Sequence, residues 1–499
     1  LNQHKQLDIS YIMNDEIATY LGPKGYSIKK ENITVQEQEL IRKELTVKAF
    51  VPKSSISQPT PFPIYRESPN KFYVPRFYGM DTYGEPDAIK ISGGDDINIA
   101  FTGELRDFQK PIVKKYVKSA KTKGAGLLEI HCGAGKTVMA LKIISELKKK
   151  TLVIVHKEFL LQQWKERINQ FLPTAQVGRI QGDIIDIEGK DIVIGMLQSL
   201  SMKKYPSHIF QHFGLTIIDE CHHIAAEVFS NALFQIVTKY MLGLSATMDR
   251  KDRLTYVFKM FIGDVVYKKE RESNDIVIIK GINYDIDDEE FCKVEYNFKG
   301  QVHYSKMIKK LCEFNRRSEF IIKVLQDSLN ERPEQQFIVL AHNKNLLKYL
   351  HDAINHRKIA SVGYYIGGMK QKDLKLSEEK KVIIATYAMA EEALDIKTLT
   401  SLIMATPKSD VRQAVGRILR KKKSNAVVYD IVDLHGLFQR QWQKRCTWYR
   451  KQKFTITMAN KEEYNNKKWR VLSTGGKRLK HKKPSDSVDK LLQGVCLIK

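Results

Sequence analysis

Three stretches of the chain place reactive side chains at spacings that phosphate chemistry can use. The first is His131-Cys132-Gly133-Ala134-Gly135-Lys136-Thr137, which follows the apolar run Leu127–Ile130 and opens a helical pattern. Glycines let successive backbone N–H groups wrap a phosphate chain at the positive end of a helix. Gly133, Ala134 and Gly135 form that cradle, Lys136 reaches the β- and γ-phosphates, and the Thr137 hydroxyl becomes a ligand for Mg²⁺. The strict pattern has another glycine five residues before Gly135, where this chain has Ile130, so the strand-loop-helix context carries the reading. The second stretch, Leu215-Thr216-Ile217-Ile218-Asp219-Glu220-Cys221-His222, is an apolar strand ending in two carboxylates. Open α/β sheets bind ligands at the carboxyl ends of their strands. Asp219 would hold Mg²⁺ through water there, and Glu220 would orient and deprotonate an attacking water. Alone, the pair could cap a helix. Cys221, His222 and His223 resemble metal ligands, but adjacent residues rarely converge on one ion.

The third stretch is Val411-Arg412-Gln413-Ala414-Val415-Gly416-Arg417-Ile418-Leu419-Arg420. It sets Gln413, Arg417 and Arg420 at i, i+4 and i+7, on one helical face. An arginine delivered to a γ-phosphate can raise hydrolysis by about 10³–10⁵. Read by itself, the helix could instead be a solvated basic face running into Lys421-Lys422-Lys423.

Such groups need rigid frames. Leu127–Ile130, Leu152–Val155, Ile192–Ile194, Leu215–Ile218 and Leu242–Leu244 read as buried strands, with Thr137–Lys148 helical. Phe337–Ala341, Ser361–Tyr365, Val382–Ala385, Leu402–Ala405 and Ala426–Tyr429 form a second strand series, with Val411–Lys421 helical. Apolar strands alternating with helical crossovers imply parallel sheets, so the expected fold class is α/β with two such domains in tandem. The expected boundaries are an N-terminal α+β extension with a proline-rich linker over 1–95, a first sheet domain over 96–267 and a connecting segment over 268–330. A second sheet domain over 331–440 and a basic aromatic tail over 441–499 follow. Six of the 14 prolines lie between Val51 and Pro75, which reads as an extended linker. Phe72-Tyr73-Val74-Pro75-Arg76-Phe77-Tyr78 then reads as an apolar strap or as a base-stacking surface.

The 499 residues carry 83 Lys+Arg against 57 Asp+Glu, a formal charge of +26, so a polyanion is the expected partner, nucleic acid before an acidic membrane. Residues 441–499 hold 16 basic and 4 acidic side chains interleaved with Trp442, Trp448, Tyr449, Phe454 and Trp469, a pattern of nucleic-acid contact or of a solvated tail. Six scattered cysteines without a C-x-x-C pair argue against a disulfide scaffold, a zinc site or an iron–sulfur cluster. A soluble protein of a reducing, intracellular compartment is expected.

Phosphate loop, Asp-Glu-Cys-His strand, Ser245-Ala246-Thr247 and Gln-x-x-Gly-Arg-x-x-Arg follow one another in an order that resembles the superfamily 2 helicases over about Phe101 to Asp433. Gly243-Leu244-Ser245-Ala246-Thr247-Met248-Asp249-Arg250-Lys251-Asp252 resembles the XPB/UvsW branch. Val155–Trp164 and Ile384–Ile396 are similar to helicases of large cytoplasmic DNA viruses akin to the poxvirus transcript-release helicase. The resemblance implies two RecA-like domains, ATP and Mg²⁺ as cofactors, a DEAH-type box at Asp219, and DNA before RNA as substrate. It assigns Gln109 to adenine, Asp395 to ribose, Ser245 and Thr247 to coupling, and Gln198, Ser199, His342 and Asn343 to strand phosphates. For these last four, holding loops is the other role open. It further implies a monomeric motor in a host cytoplasm or virion, with a transcription-machinery partner. The segment Val155-His156-Lys157 lacks the Pro-Thr common in the family, and Ala393 stands where glycine often precedes Leu394-Asp395. Competing readings are an RNA helicase, a basic scaffold using ATP only as a switch, and the motor portion of a nuclease. For the last, no convincing carboxylate cluster stands in the sequence.

Overall fold

The computed structural model describes residues 18–51, 58–131, 133–221, 224–248, 250, 252–269, 277–392, 394, 396, 398–419 and 425–478. They fall into two compact units, Leu1–Glu270 and Arg271–Lys499.

In the first unit the strands Ala125–Ile130, Thr151–Val155, Ile192–Met196 and Leu215–Ile218 are buried at every residue. Strands covered on both faces read this way, as continuous apolar runs rather than alternations. The sheet has eight strands, in the order Ile184–Asp186, Val177–Gln181, Ile192–Met196, Thr151–Val155, Leu215–Ile218, Tyr240–Ser245, Ala125–Ile130, Val265–Lys269. All neighbours are parallel except the first pair. Successive residues serve opposite faces. Leu128, Val153 and Ile217 pack with the helices Gln109–Lys123, Lys136–Leu147 and Glu158–Phe171. Leu127, Leu152 and Ile218 join a cluster with Phe229 and Phe258 that continues into Tyr26, Phe72 and Val74.

Those last three belong to a small sheet ordered Arg66–Glu67, Lys71–Val74, Gly25–Lys29, Thr19–Gly22, Ala88–Ile89. Much of the proline-rich stretch is therefore folded: Phe62–Pro63 pairs with Thr46–Val47, and Lys71–Val74 pairs with Gly25–Lys29. The aromatic-basic segment takes the strap role. Phe72 and Val74 are buried completely, and Arg76 donates to the carbonyls of Lys123 and Lys239 at 3.3 and 3.2 Å.

The second unit has a nine-stranded sheet, ordered Val362–Tyr365, Val382–Thr386, Gln336–Ala341, Leu399–Met404, Ala426–Asp433, Val277–Tyr284, Thr455–Ala459, Arg470–Thr474, Lys477–Arg478. Val277–Tyr284, inside the stretch expected to connect the domains, pairs in parallel with all of Ala426–Asp433. The helix Gly436–Lys451 spans position 441, and Phe438, Trp442, Cys446 and Tyr449 are buried along one face at helical spacing. Thr455–Ala459 and Arg470–Thr474 then extend the sheet, so residues 441–478 are part of the unit. Residues 479–499 lie outside the described ones. Among the described residues no helix is long and apolar enough to cross a membrane.

Candidate active site

The phosphate loop turns on two left-handed glycines, Gly133 at φ 80° and Gly135 at φ 82°. The left-handed φ of Gly135 strains any side chain there, and a Cβ would also lie 2.5 Å from the Gln109 amide nitrogen. Lys136 opens the following helix with Thr137 in its first turn, and the Lys136 Nζ lies 3.2 Å from Glu220 Oε1. Asp219, at the end of Leu215–Ile218, is buried. Its Oδ2 accepts from the Trp164 indole N–H at 2.8 Å and its Oδ1 from the Glu220 N–H at 2.9 Å. Burial, then the Glu220 charge, pushes the Asp219 carboxyl up to about 6 against the opposing indole and Lys136. Glu220 sits at φ 47°, a left-handed conformation that costs a non-glycine residue about 1 kcal/mol or more and recurs at functional sites. The donor chemistry suits a divalent cation, a buried carboxylate at the strand end and a hydroxyl in the first turn of the helix: Asp219 and Thr137 are the residues that would hold it.

The other expected residues of this unit make local bonds. Gln109 is buried, donates to the Ala134 carbonyl at 2.7 Å and accepts from the Arg106 N–H at 2.9 Å. Ser245 donates to the Thr247 carbonyl at 2.5 Å. The Gln198 amide donates to the His156 carbonyl at 2.7 Å, and Ser199 Oγ accepts from the Gly182 N–H at 2.8 Å. His222 lies outside the described residues, and Cys221 is buried with its thiol pushed up to about 12.

In the second unit the arginine helix runs over Arg412–Arg417, shorter than the Val411–Lys421 that the sequence pattern predicts. Gln413 and Arg417 remain one turn apart, while Arg420 and Asp395 lie outside the described residues. The Arg417 guanidinium donates to the Leu394 carbonyl at 2.9 Å and to the Glu391 carbonyl. The loop leading into this helix is held from several sides. Arg317 donates to the Ala405 carbonyl at 2.8 Å and pairs with Asp433 at 2.6 Å; Arg445 donates to the Lys408 carbonyl at 2.6 Å and pairs with Asp430 at 2.7 Å. All four side chains are fully buried. Thr406 Oγ1 lies 3.0 Å from the His342 N–H and 2.8 Å from its Nδ1. Asn343 caps the next helix by accepting from the Asn345 N–H at 2.7 Å.

The model of a family described as type III restriction enzyme, res subunit, matches residues 102–250. A protein of Acanthamoeba polyphaga mimivirus, L396, named as a candidate ATP-dependent RNA helicase, is 35% identical over 458 residues, covering 89% of this chain and 87% of its own. The chain belongs to the superfamily 2 helicases, among those of large DNA viruses. Like them it is an ATP-dependent enzyme of nucleic acid. A Sulfurisphaera tokodaii protein named DNA 3'-5' translocase XPB2 is 36% identical over 169 residues, 34% of this helicase and 36% of that chain. The solved structure of T4 UvsW is 18% identical, with a TM-score of 0.32, and covers 86% of this chain and 96% of its own.

Three residues that support the candidate site escape a reading of motifs. Trp164 lies 55 residues before the carboxylate it bonds, and its spacing with Leu160, Leu161 and Ile168 marks it only as helix core. Arg317 and Arg445 are buried partners of Asp433 and Asp430; two aspartates inside the apolar strand Ala426–Asp433 were the available signal, since buried charges require partners.

Proposed function

We propose that this helicase hydrolyses ATP on the loop Gly133–Thr137 to move along, or open, DNA. The 3.2 Å pairing of Lys136 with Glu220 beside buried Asp219 carries the reading. It sets a cation, a metal-directed carboxylate and a general base at one strand end. Mg²⁺ held by Thr137 and Asp219 supplies charge to the β/γ-phosphates when bound. Lys136 leaves Glu220 for the phosphate, and the released carboxylate orients the attacking water and takes its proton. Gln109 serves adenine and Asp395 ribose, and Gln413, Arg417 and Arg420 answer the γ-phosphate from the second unit.

Because only the triphosphate presents a γ-phosphate, its binding and loss exchange two states of the motor. Ser245 and Thr247 transmit that exchange. Gln198, Ser199, His342 and Asn343 serve strand phosphates while holding their loops, a mode indifferent to base identity. DNA is supported by the likeness to the XPB branch; RNA is the second reading, favoured by the name of the mimivirus relative. We infer a monomeric motor with a transcription-machinery partner, working in a host cytoplasm or virion; the viral source of its relatives supports that setting.

The test is ATP turnover by the full chain with single-stranded DNA, duplex DNA or RNA. Lys136→Ala should abolish stimulated turnover, at least about 10²-fold, with the melting transition preserved. Turnover retained by that variant overturns the reading, and stimulation by RNA alone replaces DNA with RNA.

A further inference from the structure

The aromatic residues that the basic C-terminal sequence offers for stacking are mostly core: Trp442, Tyr449 and Phe454 are buried. The exposed rings are elsewhere. Phe298 is 80% exposed, more than any other described aromatic residue, and Tyr296 is 57% exposed. Both belong to one short hairpin. His303 N–H donates to the Glu295 carbonyl and Asn297 N–H to the Gln301 carbonyl, each at 2.7 Å, around an antiparallel bridge between Tyr296 and Val302.

Its tip is fixed by its own sequence. Asn297 Oδ1 accepts from the N–H groups of Lys299 and Gln301 at 2.9 and 3.0 Å. Gly300 N–H donates to the Asn297 carbonyl at 3.0 Å, and Gly300 takes the left-handed φ of 70° that such tight loops need. A large apolar ring held in water on an ordered tip has no role in this unit's core, and an ordered tip loses little freedom when it meets a partner.

The surrounding charge selects the partner. From Lys293 to Lys309 the exposed charged residues are Lys293, Lys299, Lys306 and Lys309, all positive. The lone carboxylate in that span, Glu295, is half-buried and 3.3 Å from Lys310. Lys299 lies over the Phe298 ring, 5.6 Å from its centre. A second copy of this surface would be repelled. A ligand both flat-faced and anionic fits, and an unpaired nucleotide is both. The acidic run Asp285–Glu290 just before the hairpin disfavours phosphate there and confines contact to the tip.

We propose that the hairpin Glu295–His303 stacks unpaired bases on Phe298 and Tyr296 while the flanking lysines meet the strand's phosphates. This rests on the helicase reading and names a contact that the motifs do not. The test compares the full chain with the double variant Tyr296→Ala/Phe298→Ala, with Phe298→Trp and with Lys299→Ala. Binding of a fluorescent single-stranded DNA is followed across salt, together with ATP turnover. The double variant should bind at least about fivefold more weakly with an unchanged salt slope, because stacking releases no counterions. Phe298→Trp should bind as the unaltered chain does, and Lys299→Ala should flatten the slope. Turnover without DNA should be unchanged in all three.

Affinity of the double variant within about twofold of the unaltered chain overturns the inference and leaves the helicase reading standing. Equal losses for Phe298→Trp and the double variant overturn it too, since the fold of the tip rather than a ring would then be at work. An unaltered chain that binds no nucleic acid and is not stimulated by it overturns both.

Discussion

Lys136 in the first unit and Arg417 in the second are both cations that the sequence reserves for phosphate, and each is held differently. Lys136 faces an opposite charge, Glu220, at 3.2 Å, with both side chains largely shielded from water. Arg417 faces no carboxylate among its described partners; its guanidinium spans the neutral carbonyls of Leu394 and Glu391. An ammonium on a flexible stem can exchange one anion for another, so on the proposed reading the Lys136–Glu220 pair opens when a phosphate competes for the lysine. A planar fork across two backbone carbonyls also fixes the loop that supplies them. On the proposed reading the first cation therefore guards the general base, whereas the second ties down the carbonyls of Glu391 and Leu394.

Arg417 offers the largest break in that comparison. Arg417→Ala should lower ATP turnover by on the order of 10³-fold or more. It should also speed protease cleavage near Glu391 and Leu394, because two carbonyls lose their donor. Arg417→Lys keeps the charge without the fork and should recover little of either property. Full recovery by lysine, in turnover assays and limited proteolysis, would mean that charge alone matters and that the two cations are equivalent.

The part of the molecule legible in the sequence is the part governed by local pattern. Leu215–Ile218 is a strand at the predicted residues, and the helix Lys136–Leu147 differs by one residue at each end from the predicted Thr137–Lys148. Apolar runs covered on both faces, followed by glycine-rich or acidic strand ends, leave few other solutions. Val277–Tyr284 and Thr455–Ala459 were less readable. The first carries Lys280 and Asn283 among its apolar residues, and its pairing with Ala426–Asp433 spans nearly 150 positions. The basic, aromatic end of the chain illustrates the same limit. Its charge is plain in the sequence, but only the turn of the helix Gly436–Lys451 decides that Trp442 and Tyr449 face inward. At the site, the loop and carboxylates are motif residues, whereas Trp164 reaches Asp219 only through the packing of Glu158–Phe171.

Trp164 sharpens the contrast by a smaller effect. Its indole donates to the buried Asp219, so here the charge lies on the acceptor, whereas at Arg417 it lies on the donor. Trp164→Phe preserves most of the ring and removes the donor. A bond to a charged group contributes about 1.5–3 kcal/mol, so kcat should fall roughly tenfold or more if Asp219 is misaimed. Steady-state kinetics should show KM for ATP within about twofold, because the phosphate loop keeps its own contacts. A raised KM with unchanged kcat would instead assign the indole to nucleotide affinity. The comparison would then rest on Lys136 and Glu220 alone.

The smallest effect lies in the second unit, where the loop before the arginine helix meets His342. Partial burial and the neighbouring Lys408 hold this imidazole down to about 4, with Tyr387 and Thr406 against it. A histidine whose folded pKa lies below its ordinary 6.5 binds protons more readily once unfolded. Its contribution to stability is complete above about pH 6.5 and is lost as pH falls through 4. Lys408 itself is paired with Glu391 at 2.5 Å, which moderates the repulsion, and His342 keeps an exposed edge, so the loss is modest. Urea midpoints at pH 7, 5.5 and 4.5 should fall less steeply for His342→Gln than for the unaltered chain. Parallel slopes would place the acid sensitivity elsewhere. They would also leave the loop around Thr406 held by the buried arginines and the Tyr387 hydroxyl, without help from a neutral imidazole.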